Sequence, residues 1–192
     1  MIMISWNVRE LGVTEKRMGV NNFCMLHKAD ICCFQETKLA QVSDGILRSL
    51  IDSQYMDWVV LEATGSAGGI LIGWYCQKWG KISVTSGICM LTVILKAVSD
   101  GQVIAVTNVY GPNHATDRQR LWDELKAFRD NFDGIWVLLV TSMLQDLLVK
   151  EKGKELTIKT WKNLVILSDP CILLIFLSKE RSILQKRENT RA

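Results

Sequence analysis

Two short apolar runs, each closing on polar residues and separated by a helix-length segment, constrain this chain more than any other feature. Ile2 to Asn7 passes through Ser5-Trp6-Asn7-Val8-Arg9, and Asp30 to Gln35 runs into Gln35-Glu36-Thr37-Lys38. Runs of this length and character suit buried strands. Between them, Thr14 to Lys28 carries Met18, Phe23, Met25 and Leu26 among Lys and Arg, with Thr14 as candidate N-cap, and reads as a helix. If that helix is a crossover, the two strands are parallel neighbours and their carboxyl ends share one edge of a sheet. Ligand sites form at that edge in α/β proteins. Asn7 and Glu36 are therefore expected to meet there.

The pattern then changes. A short helix is expected over Ser43 to Leu50, where Ile46, Leu47 and Leu50 follow helical spacing and Ser43 is a candidate cap. Trp58 to Leu61, Gly69 to Trp74, Lys81 to Val84, Met90 to Val98 and Gln102 to Val109 are β-prone runs punctuated by glycines. Ser99-Asp100-Gly101 between two of them is a hairpin signal, because Asp-Gly supplies positive φ. Asp117 to Phe132 places Leu121, Trp122, Leu125 and Phe128 on one helical stripe. Gly134 to Val140 reads as a buried strand. Beyond it, Ser142 to Lys150 has a helical pattern, and Thr160 to Leu167 and Cys171 to Leu177 are strand candidates. Alternation followed by a β-meander predicts an α/β fold with a mixed sheet or two packed sheets and helices outside.

Composition narrows the class. The 192 residues, 48% hydrophobic and 22% charged, describe a globular chain rather than a disordered one. That length holds one domain. The net charge of +3 is too small to argue for nucleic acid by itself, and the stretch Lys179 to Ala192 holds five basic against two acidic residues. The six cysteines form no C-x-x-C pair and sit mostly among apolar neighbours, as in Ile31-Cys32-Cys33-Phe34. They are expected to be small core residues in a reducing compartment, with no zinc site at His27 or His114. The start has no apolar core of signal-peptide length, and Ile172 to Leu177 falls far short of the about 20 residues of a membrane span. The expectation is an intracellular protein, nuclear or cytoplasmic, monomeric and without a membrane partner.

A third strand end adds Val109-Tyr110-Gly111-Pro112-Asn113, which sets a phenol and an amide on a tight turn. Singly, Asn7 reads as a turn cap, Glu36 as an exposed charge and Tyr110 as edge packing. Together, W-N-V-R, about 25 residues, Q-E-T-K, about 70 residues and Y-G-P-N form an ordered set. That order resembles the front motifs of the exonuclease–endonuclease–phosphatase family. It is closer still to the endonuclease domain of plant LINE-type (non-LTR) retrotransposons, where S-A-G-G-I-L (Ser66 to Leu71 here) and L-W-x-E-L (Leu121 to Leu125 here) also occur. The resemblance covers residues 1 to 140. It implies a two-sheet α/β sandwich, Mg2+ as cofactor, DNA as partner, and hydrolysis of a phosphodiester by an activated water. It also implies roles: Glu36 as main metal ligand, Asn7 placing metal and scissile phosphate, Tyr110 and Asn113 positioning phosphate or stabilising its charge. Arg9 adds a positive charge near the DNA backbone.

The chain departs from that pattern in three places. Glu10 stands where these relatives have Gly; a positive φ there would strain it by about 1 kcal/mol. The strand after L-W-x-E-L runs Trp136-Val137-Leu138-Leu139-Val140-Thr141 in place of a strand ending in G-D-F-N, and Asp146 is the first acidic residue after it. No His follows His114, so the family's S-D-H has no counterpart; Ser168-Asp169-Pro170 is the nearest string. The expectation is a sandwich incomplete on its C-terminal side: residues 1–140 as the front of the domain and 141–192 as a divergent or truncated segment. The resemblance then implies a degenerate Mg-dependent phosphodiesterase-type domain, weak or inactive. The alternatives are a non-catalytic nucleic-acid-binding remnant, using Arg9, Lys16, Arg17 and the basic tail, or a non-functional fragment.

Overall fold

The computed structural model describes residues 1–51, 54–64, 68–112 and 114–140, and the backbone of 173–177. Strand β1 (Met3–Asn7) is joined by α1 (Thr14–Leu26) to β2 (Ile31–Gln35), and the two strands pair in parallel with Asn7 opposite Gln35. After α2 (Asp44–Leu50), β3 (Met56–Leu61) and β4 (Ile70–Tyr75) complete a four-stranded sheet in the order β1-β2-β4-β3. The second sheet runs β5 (Trp79–Ser86), β6 (Met90–Ala97), β7 (Val103–Val109), β8 (Ile135–Val140) and β9 (Leu173–Leu177), with α3 (Ala115–Asn131) crossing between β7 and β8. That crossover makes β7 and β8 parallel, and β9 closes antiparallel on β8.

Strand alternation sorts the apolar residues into three layers. Met3, Ile31, Cys33, Ile70, Ile72 and Trp74 of the first sheet face Leu91, Val93, Leu95, Ile104, Val106, Val137 and Leu139 of the second. The opposite face of the first sheet, with Ile4, Cys32, Phe34 and Leu71, packs under α1 and α2. The outer face of the second, with Ala105, Trp136, Leu138 and Val140, receives Leu121 and Leu125 of α3. Gly73 lies opposite Trp58 across β3–β4, and a Cβ there would sit 2.4 Å from the Trp58 ring. The missing side chain is what lets the indole lie over the sheet.

Several local expectations are corrected. Thr14 does not cap α1; Val13 is the cap residue and no side chain closes that turn. Ser43 does cap α2, accepting from the Ile46 N–H at 3.4 Å. The buried stripe of α1 is Val20 and Cys24, whereas Met18, Met25 and Leu26 are exposed. Glu10 is not among the side-chained residues at positive φ; the left-handed residue of that turn is Arg9, at φ 58°. The Asp-Gly hairpin forms with only Gly101 at positive φ, 74°, in a loop closed by the Ala97 N–H bonding to Gln102 O at 2.8 Å. Cys24, Cys32 and Cys33 are buried, Cys76 and Cys89 half-buried. Among the described residues no helix is long and apolar enough to cross a membrane. Ser142 to Lys150, Thr160 to Leu167, Asp146, Ser168 to Pro170, Cys171 and the basic tail lie outside the described residues.

Arg17 has an inward role. Its guanidinium donates to Ser49 Oγ at 2.8 Å, to the carbonyls of Leu11 and Gly12 at 2.8 Å each, and to Thr14 Oγ1 at 3.0 Å. It therefore ties the start of α1 to α2 and to the loop after β1. We expect Arg17→Ala to lower unfolding free energy by about 1–3 kcal/mol, read as a fall in the urea midpoint. An unchanged midpoint would mean the guanidinium bonds contribute nothing.

Candidate active site

The carboxyl ends of β1, β2 and β7 converge on one edge of the sandwich. The parallel β1–β2 pair extends past its last register position, where the Val8 N–H donates to Gln35 O at 3.0 Å and the Leu11 N–H to Thr37 O at 2.9 Å. These bonds hold two strand exits side by side. Asn7 Nδ2 donates to Glu36 Oε1 at 2.7 Å, and Asn7 Oδ1 accepts from the Arg9 N–H at 3.1 Å. One amide thus fixes a carboxylate on one side and its own turn on the other. Both Asn7 and Glu36 are half-buried, while Arg9 is exposed.

The Glu36 turn is held from a second direction. The Thr37 N–H donates to Gly69 O at 3.1 Å and the Lys38 N–H to Gly68 O at 3.0 Å. Glu36 and Lys38 adopt φ of 54° and 55°, and Gly68 and Gly69 φ of 79° and 85°. A Cβ on Gly69 would lie 2.3 Å from Thr37 Oγ1 and 3.2 Å from the Lys38 nitrogen. The approach of the two loops therefore requires glycine on conformational and steric grounds alike.

Tyr110 reaches the same edge from the second sheet. Its N–H donates to Cys89 O at 2.9 Å, and its ring lies 3.8 Å from where a Gly68 Cβ would stand. Burial first, then the charges of Glu36 and Cys89, push its phenol above the ordinary range. The hydroxyl is therefore protonated at neutral pH and able to donate a hydrogen bond. Asn113, three residues on, lies outside the described residues.

Below this edge runs a polar layer that the sequence reading missed. Gln35 Nε2 donates to Ser5 Oγ at 2.9 Å and to Asn108 Oδ1, and Asn108 Nδ2 donates at 3.1 Å to the carbonyls of Phe34 and Leu71. Gln35 is 1% exposed and Asn108 fully buried. The available signal was alternation: both fall at inward-facing positions of apolar strands, where only a partnered amide is tolerated.

The same two-sheet architecture recurs in solved structures. An endonuclease/exonuclease/phosphatase family protein from Bacteroides thetaiotaomicron matches with a TM-score of 0.58 over 72% of this chain and 62% of its own, at 12% identity. This chain has the endonuclease/exonuclease/phosphatase fold. The catalytic domain of Xenopus laevis APE2 shares the fold at a TM-score of 0.54, covering 84% of this chain and 62% of that one at 15% identity. ANGEL2, described as a 2',3'-cyclic phosphatase, matches at 0.57 over 76% and 56% of the two chains, at 16% identity. The chain spans less than two thirds of the length of each of these proteins of the fold. No family model and no curated protein matches the sequence.

The loop contact yields a prediction. Gly69→Ala is expected to cost about 2 kcal/mol or more, combining a left-handed alanine with a clash against Thr37. The check is the denaturation midpoint. An unshifted midpoint would mean the two loops can part freely.

Proposed function

We propose that residues 1–140 carry a metal-dependent phosphodiesterase-type site of the DNA endonuclease kind, and that its activity in this chain is weak. The observation that carries this reading is the Asn7–Glu36 hydrogen bond of 2.7 Å at the exit of two parallel strands. It presents a carboxylate at the edge where α/β folds bind ligands. The fold neighbours named as endonuclease/exonuclease/phosphatase and cyclic phosphatase proteins support chemistry on phosphate esters. The ordered W-N-V-R, Q-E-T-K and Y-G-P-N strings, similar to those of LINE-type endonucleases, support DNA as the substrate.

The residues present fit a magnesium ion. Asn7 occupies Glu36 Oε1, and no described residue bonds to Oε2. No group of three His, Cys, Asp or Glu side chains gathers among the described residues. Magnesium accepts such a site, because it keeps several waters and needs only one or two carboxylates. Bound there, the ion would supply Lewis-acid polarisation of a phosphoryl oxygen.

The protein's own groups do the rest. Glu36 would hold the metal, and Asn7 fixes the carboxylate's direction while its oxygen steadies the Arg9 turn. Tyr110, protonated, donates a hydrogen bond to a phosphate oxygen; Asn113, three residues on in the sequence, would add an amide. Arg9 offers a guanidinium to the nucleic-acid backbone. Among the described residues the neighbouring strand brings no group to activate water: every residue from Trp136 to Val140 is apolar and buried. Losing one positioned base or donor lowers a rate by ~10²–10⁴, hence the weak activity. Of the cations named for the binding-remnant reading, Arg17 is spent on internal bonds, whereas Arg9 is exposed.

The test is nicking of supercoiled plasmid by the purified, folded chain. Slow nicking is expected with Mg2+, none with EDTA, and none from Glu36→Ala. Equal nicking by that variant would remove Glu36 from the site.

A further inference from the structure

We propose that Gln35 and Asn108, with Ser5, form a cross-sheet clamp that positions Glu36 against the strand carrying Tyr110. The proposal rests on the reading of Glu36 as metal carrier for its consequence, and on geometry alone for its mechanism. Gln35 immediately precedes Glu36, and Asn108 lies two residues before Tyr110. Ser5, Gln35 and Asn108 occupy the inward-facing row of β1, β2 and β7, one layer below the strand exits. Nearly everything else in that row is apolar.

The bonds have a directed pattern. The Asn108 amide reaches from the second sheet and donates to Phe34 O and Leu71 O, which belong to directly paired residues of β2 and β4. Its oxygen accepts from Gln35, whose same nitrogen also donates to Ser5 on β1. One side chain of β7 thereby touches β2 and β4 directly and β1 through Gln35. Those three strands, or the loops at their ends on this edge, carry Asn7, Glu36 and the Gly68–Gly69 loop. Apolar packing between sheets is non-directional and tolerates sliding, whereas amide bonds of fixed length do not. The clamp therefore sets the spacing between Glu36 on one sheet and Tyr110 on the other, acting on both through the backbone.

A purely packing role for the pair makes a different prediction. Replacing both partners of a buried hydrogen bond by apolar groups of similar shape is close to neutral for stability; the double variant Gln35→Met/Asn108→Leu does this for the Gln35–Asn108 bond, while Ser5 Oγ and the carbonyls of Phe34 and Leu71 lose their side-chain donors. Its thermal midpoint is expected to fall by less than the two single-variant losses added together. Two further readouts are expected to stay impaired. Deuterium uptake at the Thr37 and Lys38 amides, both bonded to the glycine loop, should accelerate about tenfold or more. The Mn2+ dissociation constant from calorimetry should rise about tenfold or more, the scale seen when groups supporting a metal ligand are removed. Gln35→Asn, which shortens the arm and keeps the amide, serves if the apolar variants do not fold, and is expected to move both readouts in the same direction.

A stable double variant with exchange and Mn2+ affinity within about twofold of the parent overturns the clamp. Accelerated exchange, beside a parent chain that binds no Mn2+ in a Glu36-dependent way, upholds the clamp and overturns the metal reading of Glu36.

Discussion

Three side-chained residues at one edge of this molecule, Arg9, Glu36 and Lys38, hold backbone conformations that L-residues avoid, and the rest of the site depends on their being held there. Each such residue costs about 1–2 kcal/mol. They persist because the surrounding bonds over-determine them. Val8 and Leu11 bond to the carbonyls that flank Glu36, and the amides of Thr37 and Lys38 bond to Gly69 and Gly68. Strain of this kind gathers where a fold must aim a side chain away from its strand direction. Here it turns Glu36 out of β2 and towards Asn7 rather than along the sheet.

The inner layer answers the problem that this creates. Strand exits that carry polar side chains cannot be sealed by apolar packing alone, since each buried amide or carbonyl left without a partner costs more than a typical bond returns. Asn108 uses both its donor directions and its acceptor. A second buried set, Thr92, Thr107 and the Trp136 indole, satisfies its polar atoms within the second sheet, across β6, β7 and β8. Among the described buried side-chain atoms only the Trp74 indole nitrogen lacks a partner.

Much of the fold was legible because period and length speak for single elements. The strand–helix–strand opening, the stripe of Leu121 and Leu125, and the run from Ile135 to Val140 appear close to where spacing puts them. The partition into sheets was not legible. Strands β4 and β5 are separated by a three-residue turn yet belong to different sheets, a choice made by which face each buries rather than by the turn. The site was legible only in part, for a related reason. Asn7, Glu36 and Tyr110 stand at strand ends, where polarity in an apolar run is visible. Gln35 and Asn108 lie one residue or two inside, where alternation marks each as an inward-facing amide but does not reveal its cross-sheet partner. Arg17 misled because a cation near a site reads as a phosphate contact, and nothing local reveals the carbonyls of Leu11 and Gly12 that it serves.

Under the proposed reading, the second sheet bears on why holding a metal and activating water would separate in this chain. Strand β8 lies parallel to β7 and in register, with Leu139 beside Asn108 and Val140 beside Val109, so its carboxyl end points to the same edge as Tyr110. On its other side it pairs with β9, which covers what would otherwise be an open edge. Position and support are therefore present, but the last residues delivered to the edge, Leu138 to Val140, are apolar. A carboxylate placed there would stand beside the Tyr110 loop, across the sandwich from Glu36. Under the proposed reading, the first sheet supplies the group that binds the ion and the second was to supply the group that orients the water. Mutations that loosen the first half should then be felt in metal affinity before they are felt in turnover.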